Sequence, residues 1–368
     1  MLARRVRSVP ESVTLALTAR ARAMKAKGID VIPFTAGELD CPPPASLTRA
    51  VVTAMERGDT RYTDSSGTPE LREAIARKLE RDQGLKYDPK DILVSSGAKH
   101  SIYNLIQVLC DPGDEVVIPS PFWLSYAEMA RLAEAVPVYA PTRGEDGFVL
   151  AAAALDGAIT PRTRALIVNS PGNPTGAVFG ADALRALAEV LRRHPHVTVI
   201  SDEIYEKLVY DGGKHASLAE VAPDLRSRIV VVNGFSKSLA ITGLRLGYAA
   251  GPREVIAAAG RLQSHSTSNP SSIVQAGAVA ALRDPEDFIG PVVESLAKRR
   301  QTMVEGLRAI PGVSIVPPAG AFYCFPSLEG LIGRTVAGRS IGGAMDLCEA
   351  CLDGASVVIV PGEPFGSG

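Results

Sequence analysis

Lys237 lies in "GFSKSLAITGLRLG", residues 234–247, among glycines, small hydroxyls and apolar side chains, with Arg245 eight positions further on. An ammonium buried in such surroundings costs several kcal/mol unless it is paired or neutralised. Desolvation lowers the pKa of such a lysine, and its neutral amine can form a Schiff base with an aldehyde. Three other stretches carry complementary groups. "SSGAKHS" sets Gly97, Ala98 and Lys99 at the start of a helical pattern, where free backbone N–H groups make an anion site. Lys99 there works against the helix dipole and gains if an anion is present. "NSPGNPTG" presents Asn173 on a rigid Pro/Gly turn, and "SDEIY" supplies Asp202 and Tyr205. Each is weak alone, since Lys99 could be a solvated lysine and Asp202 could simply pair with a buried one.

The elements that carry these groups are legible from hydropathy. "DILVSSG", "DEVVIPS", "AVPVYA", "RALIVNS", "VTVISDE", "RIVVVNG" and "LRLGYAAG" are short apolar, β-branched runs, most of them separated by helix-length segments such as "HSIYNLIQVLC" and "ADALRALAEVLRRH". The alternation predicts an α/β fold, a mostly parallel seven-stranded sheet with helices on both faces, over residues 45–290. Beyond it, the helical "DFIGPVVESLAKRRQTMVEGLRAI" and the strand-like "GVSIVPPAGAFYCFP" and "SVVIVPG" predict a smaller α+β domain built from residues 1–44 and 291–368, with the amphipathic stretch from Ser12 to Gly28 packed on it. Ligands of a parallel sheet bind outside the carboxyl ends of its strands. Four such ends here supply an anion cradle, an amide, a carboxylate with a phenol, and a buried lysine with an arginine. Pyridoxal phosphate, an aldehyde with a phosphate and a pyridinium nitrogen that needs an acidic partner, uses all four.

Composition narrows the partners. The 368 residues are 46% hydrophobic and 21% charged, and 39 Lys+Arg against 40 Asp+Glu leave a formal net charge of -1. No global basic field points to nucleic acid or an anionic membrane, so small-molecule partners are expected. The N-terminal arginines at 4, 5 and 7 are followed by a stretch that Thr18, Arg20 and Arg22 interrupt, which does not suit a signal peptide; an organelle transit peptide is the minor alternative to a cytoplasmic chain. Five cysteines, an odd number, suit a reducing compartment. Cys348 and Cys351 in "AMDLCEACLDG" lack the two further ligands that zinc needs and read as the packed face of a helix, so no metal is expected.

The chain resembles the class I aminotransferases of the fold type I pyridoxal-phosphate family. The resemblance runs, in the family's order, through "TAGELD", "RYTDSSGTPELREAI", "SSGAKHSIYN", "PFWLSY", "NSPGNPTGAV", "SDEIYEKLVYDG", "GFSKSLAITGLRLGY", "STSNP", "GAFY" and "VPGEPFG". It implies that Lys237 carries the cofactor and shuttles the substrate's Cα proton. It implies further that Asp202 pairs with the pyridinium nitrogen, that Tyr205 and Asn173 hold the phenolic oxygen, and that Trp123 lies on the ring face. Arg245 and the Gly97 and Ala98 amides would bind the phosphate. Tyr62 looks like the phosphate contact donated by a second subunit, with Ser266 to Pro270 at the same interface, which implies a homodimer with shared active sites. Gly37 would leave room for the substrate carboxylate.

Lys99 is similar to the reader of the distal carboxylate in the bacterial aspartate aminotransferase subgroup, with Ser12 and Thr14 as assisting lid residues. That implies transfer of the amino group of aspartate to a 2-oxo acid such as 2-oxoglutarate. The alternatives are an aminotransferase for aromatic amino acids, alanine or prephenate, a carbon–sulfur lyase on the same scaffold, and, remotely, a non-catalytic cofactor-binding regulator. Leu39 stands where relatives usually carry proline, and Leu244 where many carry tryptophan; altered packing is the expected consequence. In the family a strand with a carboxylate-binding arginine and a final helix follow "VPGEPFG", whereas this sequence stops at Gly368. The expectation is a chain that, as written, binds the cofactor but transaminates poorly and is less stable than a longer version.

Overall fold

The computed structural model describes residues 3–7, 9, 13–35, 37–283 and 288–366. Its centre is a seven-stranded sheet of β1 (Ile92–Ser95), β2 (Glu115–Ser120), β3 (Val136–Pro141), β4 (Thr163–Asn169), β5 (Thr198–Asp202), β6 (Ile229–Gly234) and β7 (Gly247–Ala250), in the order β1-β7-β6-β5-β4-β2-β3. All neighbours pair in parallel except β7, which runs antiparallel to both β1 and β6.

The uninterrupted apolar runs follow from burial on both faces. Val94, Val117, Leu166, Val168, Val199 and Val231 face one cluster, where helices Pro69–Gln83 and Ala181–Arg193 contribute Leu71, Ile75, Leu79, Leu184, Leu187 and Leu191. Their chain neighbours Leu93, Val116, Ile118, Ala165, Ile167, Ile200, Val230 and Val232 face a second cluster, with Ile102, Leu105 and Ile106 of helix Ala98–Leu109 and Ile256 and Ala259 of helix Arg253–Ser266. Successive residues of a strand point to opposite faces, so covering both faces needs apolar residues at every position. Each fully buried Leu, Ile or Val stabilises by about 1.5–3 kcal/mol relative to exposure. Helix ends are marked locally: the Thr68 side chain accepts from the Leu71 N–H at 3.3 Å, and Gly84 closes the same helix at φ 65°.

Segments from the first and last parts of the chain meet. Ile32–Pro33 pairs in parallel with Val357–Val358, and Ala21, Met24 and Val31 pack with Cys348, Leu352 and Val358. Helix Val13–Ala26 thus rests on helix Ala344–Ala355, with Arg20 bridged to Asp353 at 2.5 Å. Cys348 is buried in that cluster, and Cys351 lies in an adjoining one with Leu331, Ile341 and Leu347, as the packed-helix reading of "CEAC" requires.

The strands expected after residue 310 need correction. "GVSIVPPAGAFYCFP" forms no ladder, only the isolated bridges Ser314↔Ser327 and Val209↔Gly320, and "SVVIVPG" contributes two ladder residues. Pro317 and Pro318 have no N–H to donate, which breaks a strand that apolar alternation alone suggests. Among the described residues no helix is long and apolar enough to cross a membrane.

Candidate active site

The carboxyl edge of the sheet gathers the chemistry. β5 ends at Asp202, β4 at Asn169 just before the Asn173 turn, β2 at Ser120 just before Trp123, and β6 at Gly234, from which helix Phe235–Ser238 carries Lys237. Because β7 runs the other way, its first residue, Gly247, lies at this same edge, opposite Ser95 and Gly234. Arg245, two residues earlier, is thereby set beside the helix that opens after β1. A Cβ built on Gly97 would stand 2.6 Å from an Arg245 guanidinium nitrogen, and Gly97 itself has φ 89°. Only glycine serves at that helix cap without strain.

The Lys237 Nζ donates to the Gly37 carbonyl oxygen and lies 5.2 Å from the centre of the Phe322 ring and 5.8 Å from that of Tyr205. Burial pulls its pKa down to about 8, and the Glu38 charge opposes the shift. Asp202 is only 3% exposed. Its carboxylate accepts from the Tyr126 hydroxyl at 2.5 Å and the Ile204 N–H at 3.2 Å, and it has no Lys, Arg or His partner among the described residues. Burial pushes its pKa up to about 6, against those two hydrogen bonds. An acid so placed fits a cationic nitrogen that it does not find among the described residues.

Tyr205 and Tyr323 share a hydroxyl–hydroxyl contact of 2.6 Å, and the nearby Asn173 side chain opposes the rise that burial gives the Tyr205 pKa. The Asn173 turn is held from below, its N–H donating to the Asn169 side chain at 2.8 Å while Asn169 donates to the Asp202 carbonyl oxygen at 3.1 Å. Trp123 packs edge-on against Tyr126 with centroids 5.2 Å apart, and the Lys99 ammonium stands 4.7 Å over the Trp123 ring. Burial first, and Arg245 second, lower the Lys99 pKa; no carboxylate pairs with it among the described residues.

The structure thus brings Gly37, Gly97, Ala98, Lys99, Trp123, Asn173, Asp202, Tyr205, Lys237 and Arg245 to one edge of the sheet. Tyr62 is 90% exposed. Ser12 lies outside the described residues, and Thr14 lies in helix Val13–Ala26 with its side chain outside them.

The sequence profile of the family "Aminotransferase class I and II" matches residues 29–367. The chain belongs to the class I and II aminotransferases. It is 46% identical to an aspartate aminotransferase of Geobacillus stearothermophilus, over 100% of this chain and 92% of that one. It is 41% identical to an aspartate/prephenate aminotransferase of Nitrosomonas europaea, over 99% and 92%. Among solved structures, the aspartate aminotransferase from Rhizobium meliloti superimposes with a TM-score of 0.97 at 44% identity, covering 100% of this chain and 92% of that one. The Thermus thermophilus enzyme with maleate gives 0.92 at 40% identity, over 99% and 92%.

Several residues around this candidate site carry no motif. Tyr126 carried one signal, its spacing of three from Trp123, which places both at one helix start. Tyr323 stands in "GAFY", a stretch that matches the family without pointing to a task. Gln263 had none: buried in helix Arg253–Ser266, it accepts from Ser95 and Asn104 and donates to the carbonyls of Ser65 and Val94. Beneath Asp202, the buried Glu203 accepts from Ser201, Ser217, Gln83 and His215 at 2.6–2.9 Å. Glu203, Glu206 and His215 are the one group with metal-ligand spacing among the described residues. Lys78, paired with Glu206, supplies a positive charge to this cluster, and the neutral Gln83 amide donates to both carboxylates.

Proposed function

We propose that this aminotransferase binds pyridoxal phosphate at the sheet edge and moves the amino group of aspartate to a 2-oxo acid such as 2-oxoglutarate. The observation that carries the reading is Asp202, a buried carboxylate without a cationic partner among the described residues, at one edge of the sheet with a desolvated lysine and an arginine-backed helix N-terminus. These groups fit the cofactor's ring nitrogen, aldehyde and phosphate respectively. When bound, pyridoxal phosphate supplies an aldehyde that bonds to amines and a ring that takes up the electron pair released at the substrate's Cα. Asp202, held by Tyr126, keeps the ring nitrogen protonated. Tyr205 and Asn173 would donate to the phenolic oxygen, Arg245 and the first amides of helix Ala98–Leu109 would hold the phosphate, and Trp123 would cover the ring. Lys237, as a free amine, would carry the proton between the substrate's Cα and the cofactor's C4′ carbon.

Lys99 is placed to read a second carboxylate, since its ammonium is partly desolvated and has no anionic partner among the described residues. Gly37 leaves the backbone open for the substrate's α-carboxylate. The exposed Tyr62 reaches the phosphate of a second copy, making a homodimer with shared sites; Val52 and Met55, half exposed on helix Ala45–Glu56, support a covered face there. The large unit of residues 45–290 then carries the cofactor and the smaller one, of 1–44 and 291–368, closes on the substrate. Five unbridged cysteines support a cytoplasmic location.

The test is a donor panel with 2-oxoglutarate together with borohydride fixation of the bound cofactor. Aspartate should be the best donor, giving oxaloacetate and glutamate, and the fixed label should lie on Lys237. Pyruvate released without an acceptor would indicate a lyase, and a label on another lysine would refute the assignment.

A further inference from the structure

Tyr323 has a position but no task in the reading above. Its ring tilts against Phe322, with centroids 4.9 Å apart, and meets Tyr205 edge-on at 5.7 Å. The two tyrosine hydroxyls lie 2.6 Å apart. Burial holds both protonated, pushing Tyr323 up to about 12 and Tyr205 well above its ordinary value. A phenol has one proton to give and lone pairs to receive. Once Tyr205 gives its proton to an anionic oxygen, the 2.6 Å contact needs a donor, and that donor is the Tyr323 hydroxyl. In the ligand-free chain Lys237 does not compete for Tyr205 either, since its ammonium is directed to the Gly37 carbonyl. Gly37 also explains how Tyr323 keeps its place: a Cβ there would stand 3.0 Å from the Tyr323 hydroxyl oxygen.

We infer that Tyr323 is a positioning residue for the reaction, its hydroxyl donating to Tyr205 so that the single Tyr205 proton is aimed at the phenolic oxygen of bound pyridoxal phosphate. The inference rests on the cofactor reading proposed above. Hydrogen bonds in a chain polarise one another, so Tyr205 becomes a stronger donor and the phenolic anion is further stabilised. That stabilisation lowers the pH at which the bound cofactor changes colour.

The experiment is an absorbance titration of the cofactor-loaded chain in four variants: Tyr323→Phe, Tyr205→Phe, the double variant and Gly37→Ala. Tyr323→Phe should raise the midpoint by about 0.5 pH, roughly threefold in the proton equilibrium. It should lower kcat with little change in KM. In the Tyr205→Phe background the same substitution should add no shift, because Tyr323 acts through Tyr205. Gly37→Ala leaves both phenols in place but crowds the Tyr323 hydroxyl, so it should raise the midpoint as well, and it serves if Tyr323→Phe does not fold. An unchanged midpoint in the foldable variant, or an equal shift with and without the Tyr205 hydroxyl, overturns the inference. A wild-type chain that takes up no cofactor overturns the cofactor reading and this inference together, whereas failure in Tyr323→Phe alone leaves that reading standing.

Discussion

Asp202 shows how a single side chain sets a requirement on the ligand. Its folded pKa of about 6 lies above the ordinary carboxylate value of 3.8. A group with a raised folded pKa contributes stability below its unfolded pKa and loses it as the pH climbs through the folded one. The ligand-free chain should therefore lose up to about 3 kcal/mol relative to Asp202→Asn between pH 4 and pH 7.5, since each unit of difference is worth roughly 1.4 kcal/mol. Denaturant titrations of both chains without cofactor measure this, and parallel pH profiles would contradict it. Lys99 gives the complementary prediction. A charge-assisted bond to a distal carboxylate is worth about 1.5–3 kcal/mol, so Lys99→Ser should reduce kcat/KM for aspartate by roughly ten- to hundredfold more than for alanine. Equal losses for both donors would mean that Lys99 serves the phosphate alone.

At the scale of elements, the cradle behind Arg245 depends on two strands of opposite direction. β1 ends at the helix cap while β7 begins beside it, so the guanidinium occupies the space where a side chain on Gly97 would lie. Gly97→Ala combines a left-handed backbone with a 2.6 Å contact to that group and must displace it. A cost of about 1–3 kcal/mol in strain is expected. The chain should still fold on its two sheet clusters, yet bind pyridoxal phosphate at least about tenfold more weakly. Quenching of Trp123, the single tryptophan, reads that affinity directly; wild-type affinity in this variant would show that the phosphate lies elsewhere. The turn after β5 is similarly determined from below. Glu203 and Glu206 anchor it to Gln83 and Lys78 of helix Pro69–Gln83 and to His215, which leaves the alternate residues Asp202 and Tyr205 aimed into the cleft.

For the whole molecule, the exposure of Tyr62, against the burial of Lys237, makes a prediction about two chains. If each site takes Lys237 from one copy and Tyr62 from the other, Lys237→Ala and Tyr62→Ala chains should each be nearly inactive or weakened alone. Mixing and reassociating them should restore one intact site per mixed dimer, about a quarter of the wild-type activity per chain if assembly is random. Activity that stays at the sum of the two separate variants would place Tyr62 outside the active site.

The sequence by itself determined the α/β class, the strands of the sheet, and the identity of the groups at their ends, because these are written in local patterns. Doubly buried strands must be apolar throughout, and a lysine among glycines and hydroxyls stands out wherever it falls. The tertiary structure alone decided the direction of β7, and with it the meeting of Arg245 and Gly97, since a short apolar strand reads the same in either direction. It also decided the partners of Asp202 and Tyr205. Tyr126 and Tyr323 come to them from 76 and 118 residues away, and a hydroxyl that closes a contact over such distances leaves no periodic trace in the chain. Where apolar spacing alone suggested strands after residue 310, the prolines prevailed, because a ladder needs donors that hydropathy does not count.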